Sequence, residues 1–467
     1  MTDPPERPRP LEDLAELRAA LHGPVVALGD PDYEAVRAIW NAAVNRKPGA
    51  IARCARAADV IAALGFARKH DLTVAVRGGG HNVAGTALCD GGLVIDLQLM
   101  KGRRVDPRRR RLLAQPGLRL RDVDQETQAF GLAAVCGINS ETGLSGLALG
   151  GGIGWQMRKH GLTVDHLISA DVVTADGRVL KASAEQNPDL FWAIRGGGGN
   201  FGIVTEFEFE LVELGPPVFG GLILYPGENA RQVLRAYRDW AVGAPDEITT
   251  ILILRYAPPF AWMPDDVLGR PVIAVGALYA GSAREGATAL EPLLNLGPRL
   301  ADSLGTRPFL AHQSMLDASA PAGRLYYWKS HYLAQLSDGA IDVIADYAWR
   351  FTSPVSFTLL SHMGGAIRRL PDDETAFTGR DAEFTININC AATDRQLFES
   401  DRAWVREWFD ALTPHSTGGV YINFVGDDGG ESVHAAYGEE KLRELAKIKS
   451  KFDPDNVFRV NHNIAPA

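Results

Sequence analysis

Residues 73 to 85, Thr73-Val-Ala-Val-Arg-Gly-Gly-Gly-His81-Asn-Val-Ala-Gly85, constrain this chain more than any other stretch. Thr73 to Val76 is a short run rich in β-branched residues and reads as a buried strand. Gly78, Gly79 and Gly80 follow at once. Consecutive glycines reach φ > 0 and leave no Cβ between their amides and a ligand. A strand ending in them folds its N–H groups around an anion. Arg77 sets a fixed cation before the loop, and His81 sets a ring nucleophile after it. These residues predict a loop that grips a diphosphate with a histidine beside the bound molecule. A tight turn with an incidental histidine is the competing reading.

Two more glycine clusters follow. The second, Thr142-Gly-Leu-Ser-Gly-Leu-Ala-Leu-Gly150-Gly-Gly-Ile-Gly154-Trp155, offers a surface of small side chains on which something flat lies close to the backbone. The third, Gly196 to Gly202, contains a formal G-x-G-x-x-G at Gly197, Gly199 and Gly202. A dinucleotide-binding Rossmann loop needs a strand before it and a helix after it. Here a short helix, Pro188 to Arg195, precedes the glycines. After them Glu206, Glu208 and Glu210 alternate with Phe207, Phe209 and Leu211, the period of a half-exposed strand. Context excludes a Rossmann loop.

Around these clusters the chain divides. Residues 1 to about 30 read as a flexible lead-in with one helix, Leu11 to Leu21. Helices are expected over Tyr33 to Asn41, Ala58 to His70 and Leu120 to Phe130, and a hairpin over Val105 to Gln115. A second hairpin, Ala170 to Lys181, should turn at Asp176-Gly177, a favoured type I′ pair. Beyond Pro216-Pro217, strand-like runs (Gly221 to Tyr225, Thr250 to Tyr256, Val272 to Tyr279, Ser356 to His362, Glu383 to Cys390) alternate with helices (Asn229 to Val242, Ala283 to Leu294, Ser337 to Phe351, Asp394 to Leu412). That texture predicts a separate α+β unit, an antiparallel sheet backed by helices. Near the end, Gly419 to Phe424 alternates like a strand and puts Tyr421 and Asn423 on one face. A lysine-rich helix, Glu439 to Phe452, leads to an asparagine-rich tail. Such a tail has to dock to be ordered, and it is expected on the N-terminal half.

Several function classes fall away. With 467 residues the chain predicts two or three domains. A net charge of −9 argues against a nucleic-acid partner. The one basic run, Arg108 to Arg111, reads as a solvated hairpin tip. Four cysteines without pairing or ligand spacing indicate neither a disulfide framework nor a structural metal. Met1 to Pro10 is polar, and no apolar run reaches 18 residues. Neither secretion nor membrane insertion is supported, and a cytoplasmic protein is expected.

Taken together, Arg77 to Asn82, Thr142 to Gly154, Arg158-Lys-His-Gly-Leu-Thr-Val-Asp165, Asn187 to Gly202 and Asp453 to Asn463 resemble the FAD-linked oxidases of the berberine-bridge-enzyme-like group, within the vanillyl-alcohol-oxidase (PCMH-type) flavin fold. The resemblance runs from about residue 35 to the C-terminus. It implies an α+β chain with a PCMH-type FAD-binding domain at residues 31–212 and a substrate domain at 213–414. Residues 415–467 would return to the FAD domain. The implied cofactor is FAD, bonded through its 8α-methyl to His81. Around it the resemblance places Arg77, Gly78, Gly79, Gly80, Asn82, Gly85, Thr142, Gly143, Ser145, Gly146, Gly150, Gly151, Gly152, Gly154, Trp155, Gly202, Ile203, Val204, Tyr421, Asn423, Asn461 and Asn463. Many members add a bond through a cysteine three residues before the position of Thr142. Here that place is Asn139, and Cys136 lies three residues too early. One link is expected, with a slipped loop that lets Cys136 reach the flavin as the alternative.

The implied chemistry removes a proton from a hydroxyl or amine while hydride leaves the adjacent carbon for the flavin, the protein supplying orientation and a base. Tyr421 fits the base by position, although a tyrosine needs a depressed pKa or a nearby cation to act near neutrality. Asn387 and Asn389 share one face of a strand that faces the flavin in the family, amides where some members carry an acid or glutamine. His362, beside Gly364-Gly365, fits a structural histidine better than a catalytic one. The implied partners are a small-molecule substrate, a sugar or secondary metabolite, and O2, which would give hydrogen peroxide. A dehydrogenase using another acceptor and a non-catalytic flavin-binding protein are the rival readings.

Overall fold

A computed structural model of the chain describes residue 11 and residues 14–260, 262–426 and 430–467. The first layer is a four-stranded sheet of β1 (Val25–Ala27), β2 (Ala50–Arg53), β3 (Val74–Arg77) and β4 (Leu93–Asp96) in the order β1-β2-β4-β3. β1 runs antiparallel to β2, and the other pairs are parallel. All four residues of β4 are buried, as a central parallel strand covered on both faces requires. The helix Ala57–Lys69 covers one face through Val60, Ala63, Leu64 and Ala67, spaced along one helical stripe. Leu14, Leu17 and Leu21 share the same core with Val25. From residue 14 onward, the expected lead-in is therefore part of this layer. The rest of it, residues 1–10 and 12–13, lies outside the described residues.

The next strands are β5 (Arg103–Asp106), β6 (Arg111–Ala114), β7 (Leu132–Ala133), β8 (Leu167–Val173), β9 (Val179–Ser183), β10 (Ile203–Glu210) and β11 (Val212–Glu213). Five of them form an antiparallel sheet in the order β5-β6-β10-β8-β9, while β7 and β11 pair with each other. Along β10, Phe207 and Phe209 are buried and Glu210 is exposed, the alternation expected of a half-exposed strand. The β8–β9 turn departs from expectation. Gly177 alone has positive φ, +85°. Gly177 N–H donates to Thr174 O, and Thr174 N–H donates to Arg178 O. A type I′ turn needs both central residues at positive φ, so this is a three-residue loop closed by glycine.

The third sheet contains β12 (Pro217–Pro226), β13 (Ile248–Tyr256), β14 (Pro271–Tyr279), β15 (Ala301–Asp302), β16 (Gly305–Pro308), β17 (Leu325–Leu333), β18 (Phe357–His362) and β19 (Phe384–Ala392). It is antiparallel, ordered β15-β12-β14-β13-β18-β19-β17, with β16 beside β12. Helices Ala230–Ala241, Asp338–Tyr347 and Arg395–Leu412 supply side chains to the core on one face, with Leu252, Leu254, Ile386 and Ile388 from the strands. Ile251, Ile253 and Phe357 belong to the opposite face, packed with Trp40 and Trp155. The helix expected over Ala283 to Leu294 is shorter, Gly286–Leu290, and continues as a 3-10 turn where Pro292 lacks an amide proton.

Gly419 to Phe424 is not a strand. The carbonyl of Gly419 accepts from Tyr332 N–H at the edge of β17, and the chain then curls into a 3-10 turn, Ile422–Phe424. The helix Gly430–Phe452 breaks at Gly438, φ +70°. Beyond it, buried Lys449 donates to Asn200 O and Phe458 O and pairs with Asp453 at 2.6 Å. Ile464 N–H donates to Asn200 Oδ1, which fixes the tail against the third glycine cluster. Among the described residues, no helix is long and apolar enough to cross a membrane.

Candidate functional site

One continuous cavity runs between the three sheets and the C-terminal tail. It encloses about 2120 Å³ of space not filled by protein atoms, its open mouth included. The first two glycine clusters form its floor by packing backbone against backbone. A Cβ on Gly143 would sit 2.5 Å from Gly79 Cα, and one on Gly78 would overlap Ser145 Oγ. Glycine is required there for chain-to-chain approach. Gly146 and Gly199 differ, because they line the cavity and a Cβ on either would meet nothing within 4 Å. Those two leave room for something other than protein. The N–H groups of Gly78, Gly79 and Gly80 find no acceptor among the described residues, which leaves them available to a ligand, as consecutive glycines allow.

His81 stands at the lip of that floor. Its ring stacks on Trp40 (centroids 4.3 Å apart, 18° between planes), and Trp40 stacks in turn on Tyr326 at 3.7 Å. Trp40 Nε1 donates to Ala320 O at 2.9 Å, which ties the stack to the third sheet's loops. Burial pulls the imidazole pKa down to about 4, so the ring is neutral at neutral pH. Its Nε2 is buried and has no hydrogen-bond partner among the described residues. A neutral imidazole with a free nitrogen in a cavity wall is a nucleophile held in place.

At the other wall, Tyr421 Oη accepts from Gly152 N–H at 2.9 Å and from Asn423 Nδ2 at 2.8 Å. Although their segment is a turn and not a strand, Tyr421 and Asn423 do meet. Burial raises the Tyr421 pKa, and these two donors only partly offset it. No cation is among the causes acting on it. Asn387 on β19 lines the cavity, 1% exposed, and both its amide heteroatoms lack a hydrogen-bond partner among the described residues. Asn389, two residues on, is recessed: its Nδ2 donates to Asn387 O.

Gly78, Gly79, Gly80, His81, Asn82, Thr142, Gly143, Ser145, Gly146, Gly150, Gly202, Ile203, Val204, Asn387, Tyr421, Asn423 and Asn461 all line the one cavity. Others lie outside its wall. Arg77 turns away, pairing with Asp96 at 2.7 Å and donating to Val36 O, so it anchors β3 and does not face a ligand. Gly85 (φ +72°) would press a Cβ against Val44, and Gly151 would press one against Phe377. Gly152 faces Thr163, and Gly154 abuts Cys136 O. Trp155 packs edge-on to His312 in an apolar core. Asn389 and Asn463 are likewise off the wall. Cys136 is buried in the apolar core of the second sheet, its thiol pKa pushed far up by burial, and Asn139 lines the cavity in its place. His362 sits in an ion network with Arg158 and Glu383, outside the cavity wall.

Several lining residues carry no signal in the local sequence. Ser361 on β18, and Leu316, Ser319 and Ala320 in the loop before β17, reach the cavity only through the third sheet's topology. Gly198, Gly199 and Asn200 sit in the G-x-G-x-x-G whose Rossmann context fails. They still line the cavity, because their 3-10 turn lies beneath the C-terminal tail.

A family model described as "FAD binding domain" matches residues 48–183, and one described as "Berberine and berberine like" matches residues 420–465. An FAD-linked oxidoreductase of Dictyostelium discoideum is 30% identical over 456 residues, 97% of this chain and 96% of that protein. The crystal structure of 6-hydroxy-D-nicotine oxidase from Arthrobacter nicotinovorans superposes with a TM-score of 0.84 at 30% identity, covering 96% of this chain and 98% of that one. Glucooligosaccharide oxidase from Acremonium strictum, whose FAD is described as 6-S-cysteinyl, 8α-N1-histidyl, gives a TM-score of 0.86 at 25% identity, over 97% and 99% of the two chains.

Proposed function

The chain belongs to the berberine-bridge-like FAD-linked oxidoreductases, and on that premise we propose that it holds FAD covalently through His81 and oxidises a small-molecule donor at a C–H bond beside a hydroxyl or amine. FAD supplies a two-electron acceptor for the donor's hydride, and O2 takes the electrons on to give hydrogen peroxide. The residues present fit this group. Unclaimed amides of Gly78 to Gly80 suit a diphosphate, open space over Gly146 and Gly199 suits a body laid on backbone, and the partnerless His81 nitrogen suits a bond to carbon. The observation that carries the proposal is this last one: a neutral, stacked imidazole at the lip of the glycine floor. Cys136, buried and protonated away from the wall, favours one link, not two.

The donor's place is the wall formed by Ile253, Phe357, Leu359 and Trp328, with Asn387 offering an unpaired amide to orient it. Of the titratable residues that line the cavity, which include His81, Tyr437 and His462, Tyr421 meets the donor's proton. Burial raises its pKa and keeps it a phenol near neutral pH. Gly152 N–H and Asn423 Nδ2 would stabilise the phenolate when it forms. The test is to mix the protein without air with sugars, secondary alcohols and cyclic amines, then admit air. Bleaching by one class, with colour and peroxide returning in air, is expected. Bleaching without reoxidation points to another acceptor, and no bleaching by any class points to a flavin binder that does not turn over.

A further inference from the structure

The donor wall carries a charge that its lining does not balance. Along β13 the side chains of Ile251, Ile253 and Arg255 share the face turned toward the cavity. Alternation calls for an apolar residue at the third of these positions, yet Arg255 stands there, 6% exposed. Its Nη1 donates to Ser319 Oγ at 2.8 Å and its Nε to Tyr256 O at 3.3 Å. Its guanidinium lies 5.8 Å from the Phe357 ring. Ser319 and Phe357 both line the cavity.

Three other arginines are buried as deeply, and each has a carboxylate: Arg77 with Asp96, Arg158 with Asp246 and Glu383, Arg380 with Asp165. Arg255 has none within ion-pair distance among the described residues. Arg324, whose Nη1 donates to Ser319 O at 3.2 Å, adds a second cation to the same turn. No Asp or Glu lines the cavity among the described residues. Burying a cation without a counter-ion is costly, and folded proteins ordinarily pair it. Burial lowers the Arg255 pKa to about 10, which leaves it charged at neutral pH. Ser319 Oγ accepts from Arg255, so the serine keeps its own proton to donate into the cavity.

We infer that the donor taken by this site carries an acidic group, a carboxylate, which seats on Ser319 with Arg255 as its counter-ion; this rests on the reading above that the donor meets FAD in this cavity. A protonated amine would meet no opposite charge there. A neutral oligosaccharide would leave the cation as unbalanced as before.

The test uses purified holoprotein, its flavin content recorded first, titrated with benzoate and with benzamide. These two probes match in shape and differ in charge. Calorimetry and the perturbation of the flavin spectrum read binding without turnover. Native protein should bind benzoate at least about tenfold more tightly than benzamide. Arg255→Gln should weaken benzoate on the order of 10- to 100-fold and benzamide less than about threefold, with Arg255→Lys keeping most of the preference. Equal affinities, no benzoate binding, or equal loss of both probes in Arg255→Gln would overturn the inference. Should that variant not fold, the native pair of affinities decides alone. A yellow native protein that ignores charge defeats this inference only, whereas a colourless one defeats the FAD reading and this inference with it.

Discussion

Gly143 and Gly146 lie three residues apart in one glycine cluster, yet alanine should act on them in opposite directions. Gly143 has φ −71° and ψ 132°, a conformation any residue adopts, so alanine there brings no backbone strain. Its Cβ would lie 2.5 Å from Gly79 Cα. Carbon contacts settle at about 3.5–4.0 Å, so the two loops must part by about 1 Å. Both partners are backbone, and no rotamer change relieves the clash. Overpacking of this kind costs about 1–3 kcal/mol. Because His81 follows Gly79 by two residues, the same displacement moves the proposed attachment point, and a 1 Å misplacement can cost about 100-fold in rate. At Gly146 the methyl meets no protein atom. Gly146 lies in the short helix Leu144–Leu149, where alanine is favoured by up to about 1 kcal/mol over glycine, so flavin-free protein should be unharmed or stabilised. The methyl would instead occupy space that the proposed cofactor needs. Urea unfolding of flavin-free protein, followed by flavin content of protein made in cells, reads both effects. Gly143→Ala should lose stability and flavin together, while Gly146→Ala should lose flavin alone. Normal stability in Gly143→Ala, or native flavin content in Gly146→Ala, would refute the assignment of these glycines.

Asp124 is buried, neither carboxylate oxygen has a hydrogen-bond partner among the described residues, and burial, then Asp317, raises its pKa well above the usual 3.8. The native state therefore holds this proton more tightly than the unfolded chain, and its contribution to stability is lost as pH climbs from about 4 toward the raised value. Asp124→Leu should remove that slope and gain about 1–3 kcal/mol at neutral pH, measured by urea midpoints across the range. If Tyr421 takes the donor's proton, flavin reduction should quicken as pH rises, since its pKa is raised. Tyr421→Phe should be slower by about 10²–10⁴-fold and flat with pH, and a flat native profile would remove the role. In a digest of native protein the fragment that contains Cys136 should appear at its unmodified mass, and its appearance joined through the flavin to the fragment that contains His81 would show that Cys136 carries a second bond.

Much of the fold was legible because its signals are local. β4 reads as a buried strand from Leu-Val-Ile alone, and the helix Ala57–Lys69 from its apolar stripe. β17 carries no clear local signal, because Lys329 and His331 interrupt its aromatics and only pairing with β19 makes it a strand. Gly419 to Phe424 alternates in sequence yet curls, since β17's edge donates one bond to it and the chain then leaves. Glycine runs announce close approach without saying to what. Gly79 and Gly143 approach each other, Gly154 approaches the Cys136 carbonyl, and Gly146 and Gly199 approach the cavity, all with the same residue type. Arg77 illustrates the same limit for charge, because its partner Asp96 arrives from the neighbouring strand. Arg255 sits in an otherwise apolar strand, and its lack of a carboxylate becomes visible only once every neighbouring side chain has a place.

The attachment at His81 is tested most directly by the mass of one fragment. Trypsin cuts after Arg77 and Lys101, which leaves His81 in the fragment 78–101. From native protein precipitated with acid, the pellet should stay yellow and that fragment should carry the added mass of FAD. His81→Ala should release its flavin to the supernatant. Flavin in the native supernatant, with the fragment at its unmodified mass, would contradict the account.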